Sequence, residues 1–121
     1  RLAGKLTGNA VRVPTPNVSL AILNLTVQKN TSRDDVNEIL RDAALRGDLV
    51  EQIQYSYSQE LVSSDCVGNP CACIVDSPAT IVSKDSQSII LYVWYDNEYG
   101  YSRQVIRLSK HIARVIRMSY H

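Results

Sequence analysis

No stretch of this 121-residue chain is apolar for long enough to cross a bilayer as a helix. The opening residues Arg1-Leu2-Ala3-Gly4-Lys5 lack the apolar centre of a secretion signal. Neither a membrane-spanning helix nor an export signal is therefore expected in these residues, and a cytoplasmic location is the expectation. There is no initiator Met, so the sequence is expected to begin inside a longer protein. There is no single-sign charge run either, and the formal net charge is only +1, so composition gives no reason to expect nucleic acid or a membrane surface as partner. The cysteines number three, Cys66, Cys71 and Cys73, an odd count that fits reduced thiols better than a disulfide framework. A Cys-x-Cys pair without a second pair does not make a zinc site. The only histidines, His111 and His121, lie on or beyond the last helical segment, so no base or cation is evident to activate any of these thiols. They are expected to be inert, and no catalytic or metal-binding residue is assigned. The glycine-rich pattern Gly-x-Gly-x-x-Gly is missing as well, so a complete dinucleotide site cannot be drawn from these residues.

What is present is an ordinary globular composition, 45% hydrophobic and 21% charged. One modest core is expected, close to marginal if a partner domain is removed. Three Asn-x-Ser/Thr triplets, at Asn17, Asn24 and Asn30, read as chance matches in the absence of a secretion signal. Pro14 and Pro16 favour an extended, stiff segment around Ala10 to Val18. From Ser19 to Gln28, alternation of Ala21, Leu23, Leu25 and Val27 with Ile22, Asn24, Thr26 and Gln28 predicts a strand with one buried face. Thr31 or Ser32 caps a helix with Asp34 and Asp35 in its first turn, and Val36, Ile39, Leu40 and Ala43 recur at helical spacing as far as Gly47. Weaker strand signals follow at Gln52 to Tyr57, Ala72 to Asp76 and Thr80 to Ser83.

The run Ile89 to Tyr95 is apolar on both alternating faces and predicts a strand covered on both sides. Asp96 or Asn97 then caps a long final helix expected to reach about Arg117. Its apolar stripe of Tyr101, Val105, Leu108, Ile112 and Val115 is widened by Ile106, Ala113 and Ile116. Arg103, Arg107, Lys110, Arg114 and Arg117 fill the other face, which reads as a solvated surface that also complements the helix dipole. The fold class is α+β, a mixed sheet with an amphipathic helix and a long C-terminal helix.

Two segments carry the chemistry. The first is Asn9-Ala10-Val11-Arg12-Val13-Pro14-Thr15-Pro16-Asn17-Val18-Ser19, and the second is Trp94-Tyr95-Asp96-Asn97-Glu98-Tyr99-Gly100-Tyr101-Ser102. Arg12 sits just before two prolines, and a guanidinium offers paired donors that match phosphate oxygens. Asn97 reads as a helix N-cap through its oxygen, with an amide nitrogen left to donate. Asp96 and Glu98 as an acid/base pair is the weaker reading, because acidic residues at a helix start are favoured by the dipole alone.

Together with Glu60-Leu61-Val62-Ser63-Ser64-Asp65, these segments resemble, in order and spacing, the C-terminal part of phosphorylating glyceraldehyde-3-phosphate dehydrogenases. The resemblance spans nearly the whole chain. It implies that residues 1–121 are the C-terminal part of that family's catalytic domain, incomplete at the N-terminal side, with the nucleotide-binding domain and the catalytic Cys and His region lying upstream. It implies an NAD-dependent oxidation of glyceraldehyde 3-phosphate with inorganic phosphate to 1,3-bisphosphoglycerate in glycolysis, by a homo-oligomer that is a tetramer when full-length. Arg12 would bind phosphate groups of the substrates, Asn97 would contact the nicotinamide carboxamide, and Tyr101 would lie near the nicotinamide pocket. The chain alone is expected to be inactive. A related erythrose-4-phosphate dehydrogenase, and a non-enzymatic oligomerisation module, are the alternatives; Tyr95 before Asp96-Asn97-Glu98 looks more like the glyceraldehyde-phosphate branch.

Overall fold

In a computed structural model, which describes residues 2–115, five strands and two helices form one α+β unit. The strands are β1 (Ser19–Thr26), β2 (Ile53–Ser56), β3 (Cys73–Asp76), β4 (Ile81–Val82) and β5 (Ser88–Tyr95). The helices are α1 (Arg33–Leu45) and α2 (Tyr99–Ile112). The sheet runs β1-β5-β3-β2, with β4 also paired to β5. It is mixed: β2 and β3 are parallel, while β5 is antiparallel to β1, β3 and β4. The weaker strand signals thus became β2, β3 and β4, each shorter than its signal.

Helix α1 forms where its cap was expected. The Ser32 side chain accepts from the Asp35 backbone N–H, and Gly47, at φ 82°, stands just past the end. The buried stripe is rotated slightly from the expectation. Val36 and Ala44 are buried and Leu40 packs behind them, whereas Ile39 is 67% exposed. Val36 and Leu40 join Ile89 and Leu91 of β5, with Val27 and Val82, in one core on this face of the sheet. A second core lies on the opposite face, where Val18, Cys66 and Ile74 pack with Leu61 and Trp94.

Strand β5 is the spine, but its burial is uneven: Ile89 and Leu91 are buried, while Ile90, Tyr92 and Trp94 are half-buried. Strand β1 departs further from expectation. The register sets Leu23 opposite Leu91 and Leu25 opposite Ile89, so these leucines share the α1 face of the sheet. Both nevertheless remain 41% exposed, because β1 is an edge strand beyond the cover of α1. On the other face Leu20 and Ile22, opposite Trp94 and Tyr92, are exposed too.

Helix α2 stops short of the expected Arg117. Arg114 turns left-handed at φ 54°, and the Val115 N–H bonds back to the Lys110 carbonyl at 2.9 Å. This six-to-one closure ends a helix. Ile116 and Arg117, both assigned to this helix from sequence, lie outside the described residues. The stripe residues Tyr101, Val105, Leu108 and Ile112 are all exposed rather than packed on the sheet. Among the described residues, no helix is long and apolar enough to cross a membrane.

Candidate functional site

The two signature segments, far apart in sequence, are stitched together at the corner between β5 and α2. Asp96 is the hub of that corner. It is only 3% exposed, yet both of its carboxylate oxygens are satisfied. Oδ1 accepts from the backbone N–H of Glu98 at 3.0 Å and of Tyr99 at 2.7 Å, which caps the first turn of α2. Oδ2 accepts from the backbone N–H of Gly68 at 2.8 Å and from Asn17 Nδ2 at 3.1 Å. Four donors around one buried carboxylate favour its ionised form. They hold the carboxyl below the usual Asp value, with the Gly68 N–H as the largest cause and the Tyr99 N–H next. Glu98 holds the N-cap position of α2 without a side-chain bond, and the capping bonds come from Asp96 two residues earlier; the Asn97 alternative is corrected, since Asn97 makes no cap bond.

Instead, Asn97 Oδ1 accepts from the Ser19 hydroxyl at 2.8 Å. The β1–β5 register brings this about, since Ser19 lies opposite Tyr95 and so comes alongside the residues that follow β5. Just before it, Val18 takes φ 77°, a left-handed conformation that is a true outlier for a β-branched residue. Asn17 Oδ1 accepts from the Val18 N–H at 2.7 Å, and the Val18 side chain is buried beside Cys66 and Ile74. That turn carries strain of about 1–3 kcal/mol. It feeds Asn17 to Asp96 and Ser19 to Asn97 within three residues.

Arg12 lies five residues before Asn17, exposed and in irregular backbone. Pro14 and Pro16 separate it from the corner, and the Thr15 N–H bonds to the Val13 carbonyl at 2.9 Å. Tyr101 sits in the first turn of α2, one helical turn after Asn97, and is 70% exposed, so it plays no part in the core of the described chain. Asn97 and Tyr101 thus share one corner, with the Arg12 segment leading into it. Glu98 is exposed, and Asp96 is fully engaged as an acceptor, so neither is arranged as a proton-transfer partner of the other.

The three cysteines are free; Cys66 is fully buried, while Cys71 and Cys73 are half-buried. Burial is the first cause pushing each thiol up from its ordinary value, and Asp65 and Asp76 add to this at Cys66. A raised thiol is mostly protonated at neutral pH and a poor nucleophile. Among the described residues, no group of three or more His, Cys, Asp or Glu side chains is gathered to hold a metal ion.

Sequence reasoning missed Ser19 and Gly68 at this corner. Gly68 lies between two of the weaker strand signals, and nothing local signals that its N–H turns toward residue 96. Ser19 was read as the start of a strand, and its role follows from a register that no local pattern fixes.

Comparison with known proteins bears on the same residues. Positions 1–97 match the family model described as glyceraldehyde 3-phosphate dehydrogenase, C-terminal domain. A glyceraldehyde-3-phosphate dehydrogenase-like protein of Pseudomonas aeruginosa (strain UCBPP-PA14) is 55% identical over 114 residues, covering 94% of this chain and 24% of the relative. Glyceraldehyde-3-phosphate dehydrogenases of Neurospora crassa and Colletotrichum lindemuthianum are 43% and 41% identical over 114 residues, covering 94% of this chain and 33% of each relative. The chain thus spans between about a quarter and a third of the length of these relatives. Matched over most of its length by the domain model, the chain belongs to the family of glyceraldehyde 3-phosphate dehydrogenase C-terminal domains.

Proposed function

We propose that this chain is part of an NAD-dependent, phosphorylating glyceraldehyde-3-phosphate dehydrogenase, in which it supplies a phosphate-binding arginine and a nicotinamide-orienting amide. The observation that carries the proposal is the pair of bonds, Asn17 to Asp96 and Ser19 to Asn97, that joins the two signature segments into one corner. The names of the relatives, and Tyr95 ahead of Asp96-Asn97-Glu98, favour glyceraldehyde 3-phosphate over erythrose 4-phosphate as substrate.

Residues at the corner fit one end of the cofactor. The Asn97 side chain is exposed, its oxygen is occupied by Ser19, and its nitrogen is the group left to donate to a carboxamide oxygen. The exposed ring of Tyr101, one helical turn on, offers a flat apolar wall beside it. With no Gly-x-Gly-x-x-Gly in the sequence, the pyrophosphate end has to be held elsewhere in the full-length protein. When bound, NAD would supply the hydride acceptor for oxidation at the aldehyde carbon, with the reacting thiolate and its base expected elsewhere in the full-length protein. Within this chain, Asn97 orients, Tyr101 shields, and Arg12 holds phosphate oxygens of the aldehyde substrate and of inorganic phosphate through charge-assisted bonds. The homo-oligomer, a tetramer when full-length, would cover the exposed faces of β1 and α2.

The test is reduction of NAD by the purified full-length protein. Formation of NADH with glyceraldehyde 3-phosphate, dependent on inorganic phosphate and faster than with erythrose 4-phosphate, supports the reading. Preference for erythrose 4-phosphate would replace it with the related enzyme, and absence of turnover with either would favour a non-enzymatic module.

A further inference from the structure

We infer that Ser19 is a positioning residue for cofactor binding: its hydroxyl bonds the Asn97 side-chain oxygen and holds that side chain in the rotamer that leaves the nitrogen outward. The inference rests on the reading of Asn97 as the nicotinamide contact and concerns how that contact is made specific. A side-chain amide has a carbonyl and an NH2 of nearly equal shape, and rotation by half a turn exchanges them. Only one orientation offers donors to a carboxamide oxygen; the other presents oxygen to oxygen. Ser19 Oγ lies 2.8 Å from Asn97 Oδ1, so the hydroxyl donates and the oxygen faces inward, toward β1. The backbone beneath both residues is fixed independently. Ser19 is held in register against Tyr95, and Asp96, immediately before Asn97, is pinned by four hydrogen bonds. The remaining freedom at Asn97 is therefore in its side-chain torsions, and the bond from Ser19 restrains the one that places the amide, χ1.

The size of the effect follows from counting states. An unrestrained Asn side chain samples up to three staggered χ1 wells, so the competent fraction falls to no less than about one-third when the restraint is lost. Apparent affinity falls by the same fraction. Ser19→Ala should thus weaken NAD binding by about two- to threefold. Asn97→Ala, which removes the contact itself, should weaken it by about tenfold.

The experiment is calorimetric titration of NAD into the full-length protein, comparing the parent with Ser19→Ala, Ser19→Thr, Asn97→Ala and the double variant Ser19→Ala/Asn97→Ala, each checked for an unchanged thermal midpoint. The expected result is about a two- to threefold loss for Ser19→Ala, recovery in Ser19→Thr, and a double variant no weaker than Asn97→Ala alone. If Asn97→Ala weakens binding but Ser19→Ala does not, or if the two losses multiply in the double variant, Ser19 does not act through Asn97 and the inference fails while the reading of Asn97 stands. If Asn97→Ala leaves NAD affinity unchanged, both fail together.

Discussion

Replacing Asp96 by Asn keeps the shape of the side chain and removes its charge, and the corner should respond sharply. If the remaining oxygen stays with the Glu98 and Tyr99 N–H groups, the helix cap survives. The new NH2 then points at the Gly68 N–H and the Asn17 NH2, turning two hydrogen bonds into donor-to-donor contacts. Hydrogen bonds to a charged acceptor contribute about 1.5–3 kcal/mol each, and a buried donor left unpaired costs about 1–3 kcal/mol. Asn17 is half-buried and Gly68 is exposed, so both donors are able to turn partly toward water, which keeps the loss toward the lower end of these ranges. The expected destabilisation is about 2–4 kcal/mol, a large share of the 5–15 kcal/mol typical of a domain. Asn17→Ala removes only the partly exposed partner and should cost about 1 kcal/mol. Urea denaturation of the full-length protein, following the transition that reports this domain, gives both values. A change below about 0.5 kcal/mol for Asp96→Asn would show that the carboxylate is not the hub of the corner.

The same carboxylate sets a pH dependence. Its pKa is depressed on folding, so its stabilisation is complete above the unfolded value near 3.8 and disappears as pH falls through the lower folded value. The stability gap between parent and Asp96→Asn should therefore narrow between about pH 5 and about pH 2, and a constant gap would contradict this. Asp85, depressed first by the Ser83 hydroxyl, shifts the same way and remains in both proteins as a common background. Gly100→Ala should destabilise despite alanine's better helix propensity, because a Cβ there would stand 2.8 Å from the Cys71 carbonyl oxygen. Overpacking of about 1–3 kcal/mol outweighs a propensity gain of about 1 kcal/mol, and a more stable variant in thermal melts would refute the close approach. The isolated chain should be inactive as a dehydrogenase and should self-associate in light scattering, through Leu20, Ile22, Leu23 and Leu25 of β1 and the stripe from Tyr101 to Ile112. A well-behaved monomer would overturn the second expectation, and turnover abolished by replacing one of its cysteines the first.

Local pattern and local chemistry were the legible part of this fold. Alternation exposed β1, the Ser32 cap and Gly47 framed α1, and the apolar run of β5 identified the central strand. What stayed hidden is non-local. That Leu23 and Leu25 remain half open depends on β1 lying at the sheet edge, which periodicity does not encode. The end of α2 at Ile112 depends on a left-handed Arg114, where no glycine marks the turn. At the candidate site the two motifs were visible, but their junction was not. It joins residues 78 and 79 positions apart through the β1–β5 register and a strained Val18. The capping role fell to Asp96 rather than Asn97 because the buried carboxylate also collects donors from Asn17 and Gly68, leaving the Asn97 oxygen to Ser19.

On the proposed reading, the two signature segments deliver two separable binding functions to one corner. The direct measurement is a pair of titrations on the full-length protein, the KM for inorganic phosphate and the Kd for NAD, in Arg12→Ala and Asn97→Ala. Arg12→Ala should raise the phosphate KM at least about tenfold with NAD affinity nearly unchanged, since it removes charge-assisted bonds to phosphate alone. Asn97→Ala should do the reverse, with NAD affinity weakened about tenfold and the phosphate KM within about twofold of the parent. Phosphate kinetics untouched by Arg12→Ala, or NAD affinity untouched by Asn97→Ala, would contradict it.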